Sequence, residues 1–90
     1  MKNYLYVVWF RDSSRPPDDQ DYEWVACMLI AAGSEALAQT WGDHLSALYC
    51  QRHPELQLLR SHTEPEPSER SGYVPSISYG ELAGDDVIGW

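Results

Sequence analysis

Two runs of this chain are apolar at almost every position, and a single longer segment with helical periodicity follows the second. In the first run, Tyr4 to Phe10, aromatic and β-branched residues dominate, a composition that suits a strand. Both parities are apolar: Tyr4, Tyr6, Val8 and Phe10 fall on one side, Leu5, Val7 and Trp9 on the other. A strand of that kind is covered on both faces, which predicts a central position in a sheet. Tyr22 to Ala32 repeats the pattern, with Trp24, Ala26, Met28 and Ile30 on one side and Val25, Cys27, Leu29 and Ala31 on the other. It is predicted to pair antiparallel with the first run.

Gly33 interrupts this second strand, and the chain from Ser34 to His53 predicts one long helix. Ser34 is suited to cap it by accepting a bond from a free amide of the first turn, and Glu35 sits near the positive end of the helix dipole. At 100° per residue, Leu37, Trp41, Leu45 and Leu48 share a narrow arc flanked by Ala38 and His44. Asp43, Ser46 and Cys50 fall on the far side, so the arc of Leu37 is expected to face the sheet. Pro54 biases His53 away from helical geometry and ends the helix.

Leu56 to Ser61 reads as a third strand, parallel to the second through the helical crossover, with the first strand between them and antiparallel to both. From His62 to Gly72 the chain is rich in Pro, Glu and Ser and predicts an extended linker. Tyr73 to Tyr79 predicts a short edge strand, because Pro75 removes a ladder donor. The apolar Val87, Ile88 and Trp90 follow Asp85 and Asp86. The expected organisation is a ββαβ core over 1–62 and a tail over 63–90, together one domain.

The expected fold is therefore an α+β two-layer sandwich: a three- to four-stranded antiparallel or mixed sheet with one amphipathic helix on one face. In outline it resembles half of a ferredoxin-like fold, a likeness of architecture that carries no function. One helix covers one sheet face, so the other face must meet the tail, a second subunit or a partner.

Composition narrows the function classes. Ninety residues bury only about 60 to 65% of the surface of the unfolded chain, so stability is modest. Fourteen acidic against six basic residues give a net charge of −8, which repels phosphate backbones and anionic membranes. Neither nucleic acid nor a membrane is an expected partner. No signal-peptide pattern or apolar run of about 20 residues is present, and two cysteines are too few for a disulfide framework, which together point to the cytoplasm and two free thiols.

Candidate chemistry is sparse. Asp18, Asp19, Asp21 and Glu23 alternate like the first half of a calcium loop, but the turn glycine and the distal bidentate Glu are missing. Cys50 and His53 have a spacing at which both reach one metal, yet two ligands do not make a site. A nucleophilic cysteine needs a base and an oxyanion donor that neither Cys27 nor Cys50 has in sequence, so neither an enzyme nor a cofactor is expected.

The constellation that points furthest toward function joins acidic residues to aromatic ones: Asp18, Asp19, Asp21, Tyr22 and Trp24 around the acidic, Pro-containing loop that Arg11 to Asp21 predicts between the first two strands, and Tyr73, Tyr79, Asp85, Asp86 and Trp90 along the tail. Charge steers and aromatics anchor at protein interfaces. The expected function is a small acidic binding protein that neutralises or regulates a basic protein partner. Its size, charge and aromatic content resemble those of immunity proteins that inhibit a cognate toxin. A small-ligand or regulatory domain that forms a homodimer through the open sheet face is the second expectation.

Overall fold

The computed structural model describes residues 2–20, 22–66 and 75–82. Its elements are β1 (Lys2–Asp12), β2 (Glu23–Ala32), α1 (Glu35–Arg52), β3 (Leu56–Pro65) and β4 (Ser76–Ser78). The strands form one mixed sheet in the order β3-β1-β2-β4, and the fold is a two-layer α+β sandwich. β1 is central and antiparallel to both β2 and β3, as its two apolar parities require, while β4 adds parallel to β2.

The register carries the even parities of β1 and β2 onto one face. Phe10 lies opposite Trp24, Val8 opposite Ala26, Tyr6 opposite Met28 and Tyr4 opposite Ile30. Tyr6, Val8, Phe10, Met28 and Ile30 are almost wholly buried there beneath α1, with Ile77 of β4 closing the far side. A bulge between Trp9 and Phe10 reads Trp9 against Arg60 and Phe10 against Leu58, so Leu59 is the extra residue. Through this slip, Leu56 and Leu58 below it and Ser61 and Thr63 above it all turn toward the helix.

Two expectations need correction. β3 runs four residues past Ser61, to Pro65, where a linker was expected. An edge strand tolerates a proline at its end, and the Thr63 hydroxyl is held by Gln39 of α1. The helix, too, is rotated by roughly a quarter turn from the predicted wheel. Its buried residues are Ala38, Gly42, Leu45, Ser46 and Tyr49, whereas Leu37 is 43% exposed. Asp43, Ser46 and Cys50, expected in solvent, turn toward the sheet and β3.

The physical reason is close approach. A Cβ on Gly42 would lie 2.3 Å from Cδ1 of Tyr6, so the helix backbone rests on the tyrosine ring at a spacing only glycine permits. Trp41 is displaced to the flank of the helix. Its indole N–H donates to the Glu81 carbonyl at 3.0 Å and its ring lies 5.4 Å from that of Tyr79. The segment after β4 is thereby tied to α1 through a turn in which Gly80 takes a φ of +89° and Glu81 N–H donates to Ser78 O.

The helix ends follow their predicted chemistry. Ser34 Oγ accepts from Leu37 N–H at 3.2 Å, and the His53 N–H donates to Tyr49 and Cys50 carbonyls before Pro54. No helix among the described residues is long and apolar enough to cross a membrane.

Candidate functional site

The two faces of the sheet present different chemistry. Beneath α1, beside the apolar core, lies a polar cluster assembled from three elements. Tyr6 of β1 donates its hydroxyl to Asp43 Oδ1 at 2.7 Å and lies 3.1 Å from Ser46 Oγ. Ser61 Oγ of β3 donates to the same carboxylate oxygen. The Gln39 amide reaches both Asp43 oxygens at 3.1 Å and Ser61 Oγ at 2.7 Å, and Thr63 Oγ1 donates to Gln39 Oε1 at 2.6 Å.

One carboxylate thus gathers donors from β1, α1 and β3, which fixes the helix against two strands. Among the described residues no buried side-chain polar atom lacks a partner, so the cluster is satisfied. Its bonds join α1 to β1 and β3, so it acts as a fastener between the two layers.

Burial pushes the Tyr6 phenol far above its ordinary 10, with the Ser46 bond opposing this and the Asp43 bond adding to it. A raised folded value favours the neutral phenol. Its stabilisation is complete below pH 10 and is lost as pH rises from there toward the folded value. Urea midpoints measured from pH 8 to pH 11 are expected to fall at the alkaline end, and Tyr6→Phe is expected to flatten that limb. Parallel profiles for the two proteins would show that the hydroxyl is not sequestered.

The opposite face carries the odd parities: Leu5, Val7 and Trp9 of β1 against Leu29, Cys27 and Val25 of β2. Val25 is 54% exposed and Leu29 is buried, with the others between. Register places Arg60 and His62 of β3 on this face beside Trp9 and Val7. The Arg60 guanidinium lies 4.5 Å from the Trp9 ring centroid and the His62 ring 5.3 Å from it, so Trp9 meets both side chains of β3 at the edge of an apolar strip. At the loop end, Arg11 pairs with Glu23 at 2.8 Å and covers the Tyr22 ring at 5.3 Å.

The residues expected to bind a partner are distributed differently from one another. Asp18 is exposed, and Asp19 lies 3.6 Å from Arg15, which also reaches Asp12 at 3.3 Å. The loop is shaped by local turns, with Ser14 N–H donating to Asp12 Oδ1 and Asp19 and Tyr22 N–H donating to the Pro16 and Asp19 carbonyls. Trp24 faces the helix layer, 4.9 Å from Phe10 and edge-on to Tyr49 at 6.3 Å, as part of the core. Tyr79 is 44% exposed, but its N–H bonds Ala31 O, at the far end of β2 from Trp24. The separation is roughly 23 Å for seven strand residues. Trp24 and Tyr79 therefore do not belong to one patch. Asp21, Tyr73, Asp85, Asp86 and Trp90 lie outside the described residues.

Arg60, His62 and Trp9 were not legible as a group, because their adjacency depends on the bulge at Leu59. The cysteines occupy different layers, Cys27 on the helix-free face and Cys50 against the helix-side core. Burial raises both thiols, and a bond with the Leu58 backbone partly offsets this at Cys50. His53 stacks on Tyr49 at 4.5 Å with Nδ1 3.7 Å from Glu55. Among the described residues no group of three or more His, Cys, Asp or Glu side chains is placed to hold a metal.

Comparison with family models, with curated proteins and with solved structures returns no match for this chain.

Proposed function

We propose that this chain is a small, acidic, non-enzymatic binding protein of the cytoplasm that neutralises or regulates a basic protein partner through the helix-free face of its sheet. The observation that carries the reading is the composition of that face. Val7, Trp9, Val25 and Cys27 form an incompletely buried apolar strip that carries a tryptophan under an arginine where it meets β3. Trp, Tyr and Arg on an apolar centre are the residue types that dominate binding energy at interfaces. Glu23 at one end of the strip, Asp18 in the adjoining loop and Glu64 at the other end supply an acidic rim, and the net charge of −8 sets the sign of the partner.

The division of labour is testable. Replacing Asp18, Asp19 and Asp21 together by Asn is expected to slow association with the basic partner several-fold at low salt and to leave dissociation nearly unchanged. Val25→Glu, in the strip itself, is expected to speed dissociation about tenfold or more. The check is binding kinetics across a salt series, with the partner isolated from the native host. A partner that is itself acidic, or association rates indifferent to salt, contradicts the proposal.

A further inference from the structure

β3 ends the sheet, with no strand beyond it among the described residues, and its ten residues make it a long edge. The direction of its backbone groups follows from its neighbours. Asp12 N–H bonds Tyr22 O, while Leu29 N–H and Ala31 O bond residues flanking and following β4. Even residues of β1 therefore bond β2 and odd residues bond β3, since antiparallel strands alternate their partners. Arg60, His62 and Glu64, opposite Trp9, Val7 and Leu5, spend their backbone bonds on β1. The amides and carbonyls of Ser61 and Thr63 are directed away from the sheet.

We propose that this edge pairs with β3 of a second copy of the chain, antiparallel about a two-fold axis at His62. Only registers that oppose outward residues to outward residues are open to such a pair. Centred on His62, Ser61 lies opposite Thr63 of the second copy, and the two such pairs exchange four backbone bonds. The same register sets Arg60 opposite Glu64 of the second copy, twice, on the helix-free face. Centring on Ser61 would oppose Arg60 to His62, and centring on Thr63 would oppose Ser61 to Pro65, which has no amide to donate.

Within one copy Arg60 and Glu64 are four strand residues apart, roughly 13 Å, so they do not serve each other. Arg60 lies over Trp9 and Glu64 is 3.4 Å from His62, contacts that leave both side chains exposed on the edge strand. The pairing shares Arg60 and Glu64 with the proposed binding face, but it is read from the chain alone with no partner present, so its failure is distinguishable from failure of the partner-binding role.

Charge exchange tests the register. Sedimentation of the full chain is expected to show a concentration-dependent dimer between about 10 μM and about 1 mM, the weak range suited to a short ladder. Arg60→Glu alone and Glu64→Arg alone are each expected to be monomeric over that range, since each opposes like charges twice. Mixed in equal amounts, the two are expected to associate, and the double variant is expected to regain the parent's dimer. A parent that is monomeric throughout overturns the proposal. So do single variants that dimerise like the parent, or folded single variants that fail to associate when mixed.

Discussion

Gly42→Ala is expected to destabilise the protein by about 1 to 3 kcal/mol, the range for overpacking a filled core. The sign is what makes the result informative. In an ordinary helix interior the same change stabilises by about 1 kcal/mol, because alanine loses less backbone freedom on folding. Here the new Cβ would fall 2.3 to 2.6 Å from three atoms of the Tyr6 ring, which is itself fully buried and held at its hydroxyl by Asp43 and Ser46. The ring has nowhere to withdraw without releasing that contact. Urea unfolding of the two proteins decides it. A stabilised Gly42→Ala would mean that α1 does not rest on Tyr6 and that the helix is turned toward the Leu37, Trp41 and Leu48 arc after all.

Asp43→Ala is expected to cost about 2 to 4 kcal/mol. Hydrogen bonds to a charged group contribute about 1.5 to 3 kcal/mol each, and this carboxylate accepts from Tyr6, Ser61 and Gln39. The upper end is moderated because Asp43 is only partly buried and because Tyr6 keeps Ser46 and Gln39 keeps Ser61. Tyr6→Phe combined with Asp43→Ala is expected to cost clearly less than the sum of the two single changes, since they remove the same bond. Strict additivity would show that the hydroxyl and the carboxylate do not interact. Against a total stability of roughly 5 to 13 kcal/mol for 90 residues, either loss is large enough to measure.

These two residues also mark where sequence reasoning stopped. The strand order was legible because Tyr4 to Phe10 is apolar at both parities, and such a strand is stable only in the middle of a sheet. The caps of α1 were legible because Ser34 and Pro54 act locally. The rotation of α1 was not, because a hydrophobic wheel weights Leu37, Trp41 and Leu48 and gives no credit to Gly42, whose contribution is the absence of a side chain. Asp43 and Ser46 read as solvent-facing for the same reason, since their partners Tyr6 and Ser61 come from other strands. Nor does composition reveal a bulge. Without the slip at Leu59 the parity of β3 beyond it inverts, and Arg60 and His62 are assigned to the wrong face. The acidic loop was correctly placed between β1 and β2, but Trp24 beside it belongs to the core and Tyr79 to the opposite end of the sheet.

The claim that partner binding uses the helix-free face has a built-in probe in the two cysteines, which lie on different layers of the sandwich. Alkylation of Cys27 and Cys50 is followed by mass spectrometry with and without a saturating amount of the basic partner. Cys27 lies in the strip between Val25 and Leu29 and is expected to be protected several-fold, while Cys50, against β3 on the helix side, keeps its rate. Protection of Cys50 with Cys27 unchanged would place the partner on the wrong side of the sheet and contradict the account.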